Sequence, residues 1–140
     1  MDRDFWAKVH GAAVHFPIAL VLVSFGLDTA GRMFPALAGR RHLHAAGYWC
    51  LLSGASAAVP AAVSGLVMTK GVLLGHDSLR AHHLFAWPAL ALIAGVSTWR
   101  LLGPGSCDER PPLLYLGIVG AACVLVTAAG FWGGEMLLGR

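Results

Sequence analysis

Four long runs without a charged side chain dominate this sequence. With histidine counted as neutral, the runs are Gly11–Leu27, His42–Thr69, Ala81–Trp99 and Pro111–Gly134, and they contain 17, 28, 19 and 24 residues. A helix that crosses the hydrocarbon core of a bilayer needs roughly 20 mostly apolar residues, within a range of about 17 to 25. We therefore predict an all-α integral membrane protein, a bundle of four transmembrane helices at about 11–31, 44–69, 81–102 and 112–134, forming a single membrane domain over residues 1–140.

The composition excludes several other classes of protein. Hydrophobic residues make up 57% of the chain, charged residues make up 12%, and the mean hydropathy is +0.69. A soluble domain has about 25% charged residues, which cover its core with a polar surface. This sequence has too few polar residues to form such a surface, which excludes a soluble globular domain. It also has too few polar residues for an intrinsically disordered protein. Its net charge of +3 is the difference between 10 Lys and Arg residues, which are scattered along the chain, and 7 Asp and Glu residues. We therefore expect the chain to contact the lipid bilayer and not to bind nucleic acid.

Four spans with short connections predict that both termini lie on the same side of the membrane. We call that end of the bundle side A and the opposite end side B. We interpret the first run as a span and not as a signal peptide, because His15 and Pro17 interrupt it. Asp28 and Arg32 follow it and are expected to reach together toward the side-B interface. Each side receives five Lys or Arg residues, so the positive-inside rule leaves the orientation open.

The histidines are concentrated at side A. Five of the seven are expected there, namely His10, His15, His76, His82 and His83, whereas His42 and His44 are expected as solvated loop residues at side B. An imidazole within a membrane is costly and by default marks a functional site. Because the first and third spans run in the same direction, their entry ends lie at similar depth. We predict that imidazoles from these two helices reach one cofactor.

Haem is the cofactor that this arrangement favours, since imidazole is a common axial ligand of haem iron. We predict His15 and His83 as the axial ligands, with His82 as the substitute for His83, and Arg80 as the partner of a propionate. Glycines near the end of the fourth span leave room for a flat ring. The haem is expected to be b-type, because the three cysteines form no C-x-x-C motif. The complete predicted cofactor-binding set is His10, His15, His82, His83, Arg80, Gly130, Gly133 and Gly134.

These residues predict a small b-type cytochrome-like subunit that passes electrons between a quinone and a redox-partner subunit. We expect an electron-transfer subunit more than a stand-alone enzyme, and we assign no catalytic residues. One alternative is a cofactor-free structural or assembly subunit of a homo- or hetero-oligomeric membrane complex. Another is a histidine-rich metal-binding or transport protein, although zinc and copper usually take three or four convergent ligands.

The segment from Val9 to Leu20, with the sequence VHGAAVHFPIAL, resembles the opening of a bacterial family of four-helix membrane proteins called domain of unknown function 2231. Ser64-Gly65, the His82-His83-Leu84 segment and the double glycine at Gly133-Gly134 are similar to later parts of that family. Gly11 stands where the family pattern has proline. The resemblance spans nearly the whole chain and implies a four-helix architecture, location in the bacterial inner membrane, and histidine positions that are candidates for function.

Overall fold

The protein is a bundle of four long α-helices. The computed structural model describes residues 3–34, 36, 38–103, 107 and 109–137, and of Arg3 and Leu137 only the backbone. The helices are α1 (Arg3–Met33), α2 (Arg40–Met68), α3 (Asp77–Leu102) and α4 (Leu113–Leu137). No strand occurs among these described residues. All four helices are long and apolar enough to cross a membrane, so the predicted all-α class with four spans is confirmed.

Helices α1 and α3 begin several residues before the uncharged runs do. The reason is that backbone hydrogen bonding continues past the point where a helix leaves the hydrocarbon core, and polar side chains then lie in the interface. The prolines Pro17, Pro60 and Pro88 lie inside α1, α2 and α3. A transmembrane helix tolerates such a proline because neighbouring groups can bond the carbonyl that it frees.

Contacts at the two ends of the bundle establish that successive helices run in opposite directions. At one end, His10 near the start of α1 bonds Ala61 near the end of α2, and His82 near the start of α3 bonds Ala129 near the end of α4. At the other end, Arg100 near the end of α3 bonds Asp28 near the end of α1. The start of α1 and the end of α4 therefore lie at the same end of the bundle, which we continue to call side A.

The bundle consists of two closely packed helix pairs, α1 with α2 and α3 with α4. The two pairs meet through less extensive contacts, between α1 and α4 and between α2 and α3. Gly54 permits the close approach of α2 to α1, because a Cβ there would lie 3.2 Å from Leu20 Cβ and from Val21 Cγ2. Small residues allow such contacts in lipid, where burial of apolar surface no longer drives helix association.

An apolar core fills the middle of the bundle. Its fully buried members include Val21 of α1, Leu51 of α2 and Val119 of α4. Large apolar side chains also cover the outside, where Val124 is 70% exposed and Phe16 is 67% exposed. An outer surface of this kind suits contact with lipid chains. The core separates the two ends of the bundle, and each end holds a cluster of buried or half-buried polar side chains.

Candidate functional site

Three histidines converge at side A, and we call His10, His82 and His83 the side-A histidine cluster. His10 of α1 directs its Nδ1 toward α2, where the carbonyl oxygen of Ala61 lies at 2.9 Å. His82 of α3 directs its Nδ1 toward α4, where the carbonyl oxygen of Ala129 lies at 2.8 Å. The ring centroids of His10 and His82 are 6.4 Å apart, and those of His82 and His83 are 5.6 Å apart. The cluster thus joins all four helices.

The hydrogen bonds of His10 and His82 define their tautomers. A carbonyl oxygen only accepts, so Nδ1 of each ring carries the hydrogen and donates it. In the neutral ring Nε2 then keeps its lone pair. Histidines that bind metals usually have this arrangement, with the second nitrogen tied to a carbonyl or carboxylate. His83 differs, because its Nδ1 is buried and has no hydrogen-bond partner among the described residues.

One glycine makes room for the His10 ring, and a second lies in ordinary contact distance of His82. A Cβ on Gly65 of α2 would lie 3.0 Å from Cε1 of His10, and a Cβ on Gly133 of α4 would lie 3.5 Å from Nδ1 of His82. Of the three predicted glycines of α4, Gly133 therefore lies beside the cluster. Gly130 faces Ile18 of α1, and the space beside Gly134 is open.

The other predicted residues lie outside the cluster. His15 is exposed on the outer surface of α1, where its Nδ1 donates to the carbonyl of Gly11 one turn earlier. It follows His10 by five residues, which turns it by about 140° around the helix at 3.6 residues per turn. Arg80 is exposed near the start of α3, and so is His76. The structure thus brings His10 next to the α3 histidines and places His15 on the opposite side of its helix from that cluster.

A second polar cluster lies at side B, and we call Asp28, His44, Arg100 and Tyr115 the Asp28 cluster. The Asp28 carboxylate is fully buried and accepts from all three other members. Arg100 donates to both carboxylate oxygens, at 3.2 Å for Nη2 to Oδ1, and forms a buried ion pair with them. His44 Nδ1 lies 3.0 Å from Oδ1, and the Tyr115 hydroxyl lies 3.3 Å from Oδ2. One carboxylate on α1 is therefore bound by α2, α3 and α4.

Further contacts within the Asp28 cluster hold its donors in place. Arg100 also donates to the Tyr115 hydroxyl at 2.7 Å and to the backbone carbonyl of His44 at 2.9 Å. Glycines again leave the necessary space. A Cβ on Gly47 would lie 3.0 Å from the Asp28 carboxyl atoms, and a Cβ on Gly31 would lie 2.8 Å from Cε1 of His44.

Two expectations from the sequence are wrong at this end. His44 is not a solvated loop residue, because it lies in the second turn of α2 and is 2% exposed. Asp28 and Arg32 do not reach together toward the interface, because Asp28 is paired with Arg100 and Arg32 donates instead to the carbonyl of Pro111 at 3.0 Å. The signal for this site was that Asp28 and Arg100 have opposite charges and bound two different spans on the same side.

The ligand atoms that the side-A histidine cluster itself offers are imidazole nitrogens. Among the described residues, no group of three or more His, Cys, Asp or Glu side chains is placed to hold a metal ion. A tetrahedral zinc site with four protein ligands therefore has no counterpart in that part of the chain. The side-A histidine cluster can instead offer two oriented ring nitrogens, from His10 and His82, to a centre that brings other ligands of its own.

Comparison with known proteins agrees with the resemblance noted in the sequence. A family model described as "Predicted membrane protein (DUF2231)" matches residues 7–139. No curated protein and no solved structure matches the chain. The match covers the four helices and both polar clusters, and so nearly the whole chain. The chain therefore belongs to the family of predicted membrane proteins called domain of unknown function 2231.

Proposed function

We propose that this protein binds one b-type haem at the side-A histidine cluster and acts as an electron-carrying membrane subunit. The observation that carries the proposal is the pair formed by His10 and His82. Each ring donates its Nδ1 hydrogen to a backbone carbonyl of a neighbouring helix, and the ring centroids are 6.4 Å apart. The proposal keeps the predicted location between α1 and α3 but changes both ligands. His10 replaces the predicted ligand His15, and His82, the predicted substitute, replaces His83.

The hydrogen bonds support ligation because they do two things that a metal ligand needs. They set the tautomer in which Nε2 is the unprotonated nitrogen, and they fix the orientation of each ring. The orienting carbonyls belong to Ala61 of α2 and Ala129 of α4. These helices are packed against α1 and α3, so each imidazole is held by a helix other than its own.

The number of donors favours haem over a bare metal ion. The porphyrin supplies four nitrogen ligands to its iron, so two imidazoles complete the coordination. Zinc and copper usually need three or four protein ligands, and the described residues offer no such group. The cysteines Cys50, Cys107 and Cys123 are far apart in sequence, which fits non-covalent binding. The His83 ring lies between those of His82 and Trp87, with its centroid 5.6 Å from that of His82 and 5.9 Å from that of Trp87.

Haem iron, when bound, would supply one-electron oxidation and reduction. His10 and His82 would hold it near the side-A end of the bundle, within the part of each helix that can lie in the membrane. A centre at that depth is accessible to a quinone in the lipid and to a redox-partner subunit at the surface. Location in the bacterial inner membrane belongs to the same proposal.

Optical spectra of the purified protein test this proposal. The protein is expressed in cells supplied with a haem precursor, purified in detergent, and measured before and after reduction with dithionite. We expect about one haem per chain and a sharp α-band on reduction. His10→Ala and His82→Ala should lose the band, whereas His15→Ala is the matched control on α1 and should keep it.

Three results would contradict the proposal in different ways. A folded, colourless protein that binds no added hemin would favour a cofactor-free structural subunit. Stoichiometric zinc or copper by elemental analysis would favour the metal-binding alternative. Loss of the α-band in His15→Ala, with the band retained in His10→Ala, would assign ligation to the exposed histidine and refute the pair proposed here.

A further inference from the structure

The Asp28 cluster contains a buried ring nitrogen that its packing role does not explain. His44 is 2% exposed, and its Nδ1 lies 3.0 Å from Oδ1 of Asp28. A carboxylate oxygen can only accept, so Nδ1 carries the hydrogen of that bond. The other ring nitrogen, Nε2, is buried and has no hydrogen-bond partner among the described residues.

We propose that His44 is a proton-exchange site at side B, taking up a proton at Nε2 while its Nδ1 hydrogen stays bonded to Asp28. If the cluster served only to join helices, an asparagine amide could donate the same bond to Asp28. What histidine adds is a second nitrogen that binds a proton in the mildly acidic to neutral range. This inference does not depend on haem binding, because the Asp28 cluster and the side-A histidine cluster are separated by the apolar core.

The charges around the ring provide a counter-ion for an imidazolium at this position. The carboxylate of Asp28 is the charged group that contacts the imidazole, whereas the Arg100 guanidinium contacts the backbone carbonyl of His44, at 2.9 Å. If the ring became an imidazolium, its counter-ion Asp28 would be bonded to Nδ1, whereas the repelling guanidinium of Arg100 contacts the backbone and not the ring. The titratable and charged groups facing His44 or preceding it on its own helix are Asp28 on α1, Arg100 on α3, Tyr115 on α4, and Arg40 and Arg41 on α2.

The site lies close to the side-B surface. Arg100 is two residues before the end of α3, and Tyr115 is the third residue of α4. A proton from the aqueous phase therefore has about one helical turn to cross. Its arrival places a second positive charge beside Arg100, in the group of contacts that ties the α1–α2 pair to the α3–α4 pair.

Nitrogen-15 NMR of histidine-labelled protein in detergent micelles measures the proton at each ring nitrogen directly. We expect Nδ1 of His44 to remain protonated across the titration while Nε2 changes from unprotonated to protonated as the pH falls. His42, which is exposed two residues earlier on α2, is the matched control for an imidazole outside the Asp28 cluster. The two signals are assigned from their loss in His44→Asn and His42→Asn.

Trp99 gives a second readout, because its ring packs edge-on against that of Tyr115 with the centroids 6.3 Å apart. The part of the tryptophan emission that Trp99→Phe removes should change with pH in the wild type and in His42→Asn, and should become independent of pH in His44→Asn. If His44→Asn fails to fold, the wild-type NMR titration decides alone. A His44 Nε2 that stays unprotonated down to the pH at which the protein unfolds would overturn the proposal.

Discussion

Replacement of Asp28 by Asn tests whether the Asp28 cluster holds the helix pairs together. The substitution keeps the size of the side chain and removes its charge. Arg100, whose side chain is 9% exposed, then lacks its counter-ion. The new amide group also presents hydrogens where the carboxylate accepted bonds from Arg100, His44 and Tyr115. Removing one partner of a buried ion pair costs about 3–5 kcal/mol, so we expect a loss of that size in the free energy of unfolding.

The assay is reversible unfolding in mixed micelles of mild detergent and SDS, followed by circular dichroism. Glu109→Gln makes the same chemical change at an exposed carboxylate and should alter the free energy of unfolding by less than about 0.5 kcal/mol. The double variant Asp28→Leu with Arg100→Met removes both charges and should be more stable than Asp28→Leu alone, because no uncompensated charge remains. A cost below about 1 kcal/mol for Asp28→Asn would refute this reasoning.

Two further substitutions test the packing in the same assay. Gly31→Ala should cost about 1–3 kcal/mol, because its Cβ would lie 2.8 Å from His44 Cε1. Gly11→Ala should be neutral or stabilising by up to about 1 kcal/mol, because no atom of another helix or side chain lies within 4 Å of its Cβ position. Equal effects of the two substitutions would contradict this difference in packing. Leu51 is fully buried in the core, so Leu51→Ala should leave a cavity. Its cost should be toward the lower end of about 2–5 kcal/mol, because in lipid the cavity is the main penalty. Val124 is 70% exposed, so Val124→Ala should cost much less, and an equal cost would indicate that Val124 lies at a contact.

The pattern of charges along the chain was enough to predict the class of fold. Lys8, Arg41, Arg80 and Arg110 each precede a run of apolar residues that can cross a bilayer, and short connections allow only an alternating arrangement of the four spans. The gathering of histidines at side A followed from the same count. These features depend on distance along the chain, which the sequence gives directly.

The choice among the side-A histidines could not be predicted in this way. His10 and His15 differ by about 140° around α1, and their distance from the membrane surface does not reveal which of them faces the bundle. That depends on the face of α1 that packs against α2. The structure turns His10 toward Ala61 and leaves His15 exposed. The interpretation of His44 as a loop residue was wrong because α2 begins at Arg40, four residues before it. His44 is therefore helical, and the rotation of α2 turns its side chain toward Asp28 of α1.

The sequence by itself therefore determined that the chain lies in a membrane as four helices, because the cost of placing charge or unpaired backbone in hydrocarbon fixes how many spans it can form and where they lie. Only the tertiary structure decided which polar side chains meet. Asp28 and Arg100 are 72 residues apart in sequence, and nothing local to either residue determines their pairing. It follows from the rotation of each helix about its own axis, which is set by close packing at glycines such as Gly47 and Gly54 and by the shared bonds of a single buried carboxylate.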